Sequence, residues 1–131
     1  MSILPLSTKN LVAYAKNKFG RAFKGVYEIE DGDAPDELID EIENDHDRKS
    51  VYILLLIKDG KNIGHWTTIM TQNKGGKFIG EYFDPMGMMS LPVEVVKLFD
   101  DFKYNSKVLQ KLSDERCGLY TLREAGRFLR R

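Results

Sequence analysis

Cysteine and histidine are scarce in this chain of 131 residues, which has one of the first and two of the second. A lone cysteine cannot close an internal disulfide, so the fold must stand without cross-links, as suits a reducing compartment. One cysteine and two histidines at these spacings match no zinc pattern, so no metal or other cofactor is expected. Net charge is missing as well. Twenty basic side chains balance twenty acidic ones, which leaves no global field for nucleic acid or a membrane surface. Long hydrophobic runs are absent. The longest, "VYILLLI" (51–57), is far below the ~20 residues of a membrane-spanning helix. The opening "MSILPLSTKN" lacks the basic start and long apolar run of a secretory signal. An intracellular protein that does not engage membranes is expected, with the monomer as the favoured state.

The residues present suit one compact domain over 1–131 with a single core, since 42% are hydrophobic and 31% charged. Charge is uneven along the chain. "EIEDGDAPDELIDEIENDHD" (28–47) is acidic and "REAGRFLRR" (123–131) is basic, and solvated surface accounts for both. Ser7 or Thr8 caps a first helix whose apolar face is Leu11, Val12, Tyr14, Ala15 and Phe19, with Gly20 at its end. "GVYEI" (25–29) reads as a short strand broken by "DGDAP". "DELIDEIEND" (36–45) reads as an acidic surface helix with Leu38, Ile39 and Ile42 on one side. "SVYILLLIK" (50–58) has the composition of a central strand buried on both faces, and "KDGKNIG" (58–64) follows as a turn or loop. "HWTTIMTQ" (65–72) and "FIGEYFD" (78–84) flank the hairpin signal "NKGGK" (73–77). "LPVEVVKLFDDFK" (91–103) predicts an amphipathic helix, and "SKVLQ" (106–110) a further strand. A last helix starts near Cys117 with a stripe of Leu119, Leu122, Gly126 and Leu129. Helices flanking a group of strands give an α+β class.

Nucleophilic catalysis needs an activated nucleophile, a base, a group that orients the base, and donors for the oxyanion. Cys117 is the candidate nucleophile. At a helix start, backbone N–H groups and the macrodipole favour a thiolate, and Gly118 lets the backbone approach a substrate carbonyl. Taken alone, a single cysteine is more often a packing residue. His65 is the candidate base, and strand alternation sends it and Trp66 to opposite faces. His46 lies in a polar acidic loop and reads as surface. Asp84 is the candidate orienting acid: a regular hairpin centred between residues 74 and 75 sets it directly opposite His65. Gln110 is the candidate oxyanion donor, together with the backbone N–H of Cys117.

"GHWTTIM", "YFDPMG" and "LQKLSDERCGLY" together resemble the adenovirus-type maturation proteases, which are akin to proteases that remove SUMO and ubiquitin-like proteins. The pattern is a His-Trp pair (His65-Trp66), an acid before a small turn (Asp84), a glutamine (Gln110) and a Cys-Gly-aromatic segment (Cys117-Gly118, Tyr120). Gln110 precedes Cys117 by seven residues, as in the viral branch. The likeness runs over about 50–122. It implies a small sheet flanked by helices, with the nucleophile at a helix N-terminus and Trp66 packed at the site. It also implies a thiol endopeptidase cutting capsid or core precursor proteins of a virus, virophage or mobile element, within virion and host cytoplasm. The chain departs from the pattern in stopping soon after Cys117 and in carrying threonine and leucine where a second cysteine or small residue is usual. Two other readings stand beside it: an isopeptidase for ubiquitin-like tags, and an inactive binding protein on a protease scaffold. Members of the viral branch can be activated by nucleic acid or a small peptide, for which Arg123, Arg127, Arg130 and Arg131 offer a local basic patch.

Overall fold

A computed structural model of the chain describes residues 8–58, 61–85, 91–104 and 117–131. In chain order its elements are α1 (Thr8–Phe19), a 3₁₀ turn (Gly20–Ala22), β1 (Phe23–Glu30), α2 (Asp36–Glu43), β2 (Lys49–Lys58), β3 (Lys61–Lys74), β4 (Lys77–Phe83), α3 (Val93–Val96), β5 (Asp101–Tyr104) and α4 (Cys117–Arg130). Among the described residues, five strands form one sheet in the order β1-β2-β3-β4-β5. The outer pairs β1·β2 and β4·β5 are parallel, and the inner pairs are antiparallel.

β2 is buried on both faces, as its unbroken apolar run requires. Val51, Ile53 and Leu55 enter a core with Leu11 and Ala15 of α1 and Leu122, Ala125 and Phe128 of α4. Tyr52 and Leu54 enter a second core on the other face, with Leu38 and Ile42 of α2 and Val95 of α3. The sheet is therefore sandwiched between α1 and α4 on one side and α2 and α3 on the other, an α+β architecture.

Three expectations change. The helix over 91–103 shrinks to the single turn of α3, and the chain then extends as β5. Asp100 explains the switch, because its N–H donates to the Phe78 carbonyl and its carboxylate accepts from the Phe78 N–H, both at 2.8 Å. Phe99 stacks on Phe78 at 4.8 Å and presses on Gly80, where an added Cβ would lie 2.7 Å from the Phe99 ring. Pairing and packing against β4 thus override the helical period of 91–103. The turn or loop expected over 58–64 is partly strand, since β3 begins at Lys61. The expected stripe of α4 is present, with Leu122 and Gly126 buried and Leu129 partly so, and Ala125 and Phe128 widen it. On α1, Tyr14 is half exposed, although it was expected on the apolar face. Ser7 and the strand expected at 106–110 lie outside the described residues.

A polar knot closes one end of the second core. The buried Asp45 carboxylate accepts from the Tyr52 hydroxyl (2.5 Å), the Thr71 hydroxyl (3.3 Å) and the Asp47 N–H (2.9 Å). Burial first, and then the bond to Asp45, raise the Tyr52 pKa. A raised phenol pKa means that the folded chain keeps a proton which the unfolded chain releases above about pH 10. That contribution to stability is complete below pH 10 and falls by about 1.4 kcal/mol per pH unit above it. Urea unfolding should therefore show an alkaline loss of stability that Tyr52→Phe lacks. At pH 7 the same substitution should cost about 1–3 kcal/mol, since Asp45 loses a buried donor. Parallel alkaline slopes for the two proteins would contradict this assignment.

Candidate functional site

His65 and Asp84 meet at one end of the sheet. The Nε2 atom of His65 lies 3.0 Å from Oδ1 of Asp84. The Asp84 side chain is 1% exposed and that of His65 17%, so a nearly dry carboxylate backs an imidazole that still reaches solvent.

The register that brings them together differs from the expected one. β3 and β4 pair with Thr68 opposite Phe83 and Lys74 opposite Lys77. Gly75 and Gly76 make the turn, with φ of 58° and 81°, left-handed values that a tight two-residue hairpin demands and glycine supplies without strain. The tip sits one residue later than a centre between 74 and 75. Continuing the ladder, Asp84 falls level with Thr67, and His65 is its diagonal neighbour two residues along. A shift of two keeps side-chain parity, so both remain on one face, and diagonal neighbours are within reach of a ring as long as imidazole.

Parity also places the neighbours. Ile69, four residues from His65, and Tyr82, two from Asp84, share their faces by parity and belong to the α2–α3 core. Trp66 turns the other way and is buried beneath α4 with Leu122, Ala125 and Phe128.

Cys117 is the first residue of α4 and Gly118 the second. The Thr121 hydroxyl donates to the Trp66 carbonyl at 3.0 Å. At the other end of the helix, Lys49 Nζ donates to the backbone oxygens of Phe128 (3.1 Å) and Arg131 (2.7 Å), and Lys49 pairs with Gln72 at the far end of β3. Hence α4 runs alongside β3 in the same direction. Four residues before Thr121 is about 6 Å along the helix, or about two residues of strand. The start of α4 is thus level with the end of β3 that carries Gly64 and His65. The β3·β4 ladder stops at Thr68, so at His65 β3 has β2 on one side and, among the described residues, no paired strand on the other. Gln110 lies outside the described residues.

The basic tail does not act as one patch. Arg131 pairs with Glu81 (2.8 Å) and Glu124 (3.9 Å), and Arg127 with Glu124 (3.7 Å). Arg123 and Arg130 instead join Lys18 of α1 along a groove of about 450 Å³, which Tyr14, Phe19 and Leu122 also line. Sequence reasoning missed Lys18 and Thr121. Neither carries a local motif, and each gains significance from an element distant in sequence. His46 is exposed, as expected of its loop.

No model of a known family matches the chain, and no curated protein sequence matches it. Solved structures do share its fold. AvrA (delL154, with IP6 and CoA) superposes with a TM-score of 0.65 at 18% identity, over 91% of this chain and 47% of AvrA. The ASFV pS273R protease superposes with a TM-score of 0.54 at 11% identity, over 95% of this chain and 58% of its own. For the Legionella pneumophila effector protein RavZ the TM-score is 0.54 at 13% identity, over 79% of this chain and 40% of RavZ. The chain spans about half the length of these proteins. At such identities the common property is the fold, one found in a viral protease and in a bacterial effector.

With Nε2 turned to Asp84, neutral His65 should carry its proton on Nε2. Long-range ¹⁵N NMR at pH above the imidazole range should show this tautomer dominant for His65 in the wild type and both tautomers in Asp84→Ala. Exposed His46 is the internal control. A mixed tautomer for His65 in the wild type would separate the two side chains in solution.

Proposed function

We propose that the chain is a thiol peptidase domain, with Cys117 as nucleophile, His65 as base and Asp84 as the group that orients and stabilises the imidazolium. The observation that carries this reading is the 3.0 Å contact of His65 with a buried Asp84 at the level where the Cys117-Gly118 helix begins. A buried carboxylate beside an imidazole favours its protonated form and hence the ion pair with a thiolate. The first turn of α4 holds no acidic residue to oppose an anion, and its open N–H groups favour one. The thiolate attacks a peptide carbonyl, and the Cys117 N–H and the Gln110 amide hold the oxyanion. His65 then protonates the departing amine, and water releases the acyl group. Trp66 braces the helix against the strand that bears the base, and Gly118 gives the carbonyl room. No metal or cofactor takes part. The resemblance to adenovirus-type enzymes specialises this to maturation of capsid or core precursors in virion and host cytoplasm, by a monomer acting on protein substrates.

A second reading draws on the CoA in the AvrA structure. The same thiol can take an acyl group from a thioester and pass it to an amine or hydroxyl. Cleavage of precursor proteins separates the two. Wild type should cut, Cys117→Ala should not, and His65→Ala or Asp84→Asn should be slower by about 10²–10⁴-fold. Equal cutting by wild type and Cys117→Ala would exclude Cys117 as the nucleophile. Acetylation of Cys117 by acetyl-CoA, read by mass spectrometry without any cleavage, would favour acyl transfer. Labelling by a ubiquitin-like vinyl sulfone would favour an isopeptidase, and no reaction with any of these a binding scaffold.

The groove of Lys18, Arg123 and Arg130 suits an anionic activator, nucleic acid or an acidic peptide. Stimulation by DNA should fall steeply with salt and should weaken in Arg123→Ala/Arg130→Ala. Stimulation indifferent to both would place the activator elsewhere.

A further inference from the structure

Threonine in the body of a helix needs a reason. Its branched side chain is a poor helix former, and its hydroxyl, once buried, must find a partner. Thr121 is fully buried. Its hydroxyl is bonded to the Trp66 carbonyl across the gap to β3. The donor stands one helical turn after Cys117 and the acceptor is the residue next to His65. This bond therefore joins the helix that begins at the cysteine to the strand that carries the histidine, close to both.

Other polar ties of α4 among the described residues lie at its far end, where Lys49 holds the oxygens of Phe128 and Arg131, and Arg131 holds Glu81. Those anchors are about 10–15 Å along the axis from Thr121. A helix fixed only there would swing most at its start, where Cys117 is. Apolar contacts of Leu122 and Ala125 press α4 onto the sheet but tolerate sliding, because dispersion and burial carry no direction. A hydrogen bond does have a direction and a length.

We infer that Thr121 is a positioning residue, which fixes the start of α4 against the strand of His65 through the Trp66 carbonyl. The inference rests on the thiol reading above.

The single cysteine makes the test clean, since iodoacetamide alkylation of the chain reports on Cys117 alone. In the wild type the rate against pH should inflect well below the ~8.5 of a free thiol. In Thr121→Val, which keeps the shape and loses the hydroxyl, the inflection should move toward 8.5. Its rate near pH 6 should drop about 10–100-fold, the scale of misplacement by an ångström. Thr121→Ser, which keeps the hydroxyl, should follow the wild type. Circular dichroism and melting confirm that each variant is folded, and Thr121→Ala replaces Thr121→Val if the latter is not. A melting temperature lowered in Thr121→Val with an alkylation profile superimposed on the wild type would make Thr121 merely structural and overturn the inference. An inflection near 8.5 in the wild type itself would overturn the thiolate reading, and the inference with it.

Discussion

Side-chain parity along β3 is the constraint on which the rest of the molecule turns. Trp66 and Met70 point to α1 and α4, while Ile69, and with it His65, point to α2 and α3. The Gly75-Gly76 tip carries this parity into β4, so that Phe83 joins the first core and Tyr82 the second. A slip of one residue would exchange every one of these faces, at about 1.5–3 kcal/mol for each large apolar side chain moved from core to solvent. The His65–Asp84 contact is therefore held by the cores rather than by its own attraction. What a buried carboxylate gains from an imidazole is offset by the cost of taking charge out of water, so the pair does not by itself set a strand register.

The second constraint is the seating of α4. Its C-terminal carbonyls, which no later turn of helix can satisfy, are met by Lys49 from β2, whose ammonium also lies 5.2 Å from the Phe128 ring centre. Desolvation lowers the Lys49 pKa, and the neighbouring Arg48 and Arg131 lower it further. The zero net charge conceals a polarised molecule. The acidic helix α2 covers one face of the sheet, and the groove of Lys18, Arg123 and Arg130 belongs to the helices on the other. The arginines of the tail divide by helical position. Arg127 and Arg131 turn to Glu81 and Glu124, while Arg123 and Arg130 turn to α1.

How much of this was legible in the sequence depended on whether the signal was local. The apolar run 51–57 announced a two-faced central strand because nothing else tolerates it. The glycines at 75 and 76 announced the hairpin because only they accept the turn. The facing of His65 and Asp84 was legible to within one residue of turn position, and even parity made that error harmless to their proximity. The stretch 91–103 misled because its helical period is genuine but weaker than the pull of Asp100 and Phe99 toward β4. The stripe of α4 was legible at Leu122 and Gly126, which are buried, while the burial of Ala125 and Phe128 beside it required the sheet. Thr121 was invisible because its partner is 55 residues away.

A fold held in common with a protease and with a protein bound to CoA does not by itself fix a chemistry. Acylation of a thiol is common to peptide hydrolysis and to acyl transfer. It asks for the same things of the same places: a thiolate at a helix start, an imidazole backed by a buried acid, and donors for the oxyanion. The two reactions diverge only afterwards, in whether water or an amine meets the acyl-enzyme. Under the proposed reading, that choice depends on which acceptor can reach the acyl carbon within range of the imidazole that takes its proton, and so on surfaces outside the His65–Asp84–Cys117 set. Under that reading, changing these three residues cannot convert one reaction into the other, because it removes the step they share. Residues that shape the approach of the acceptor can.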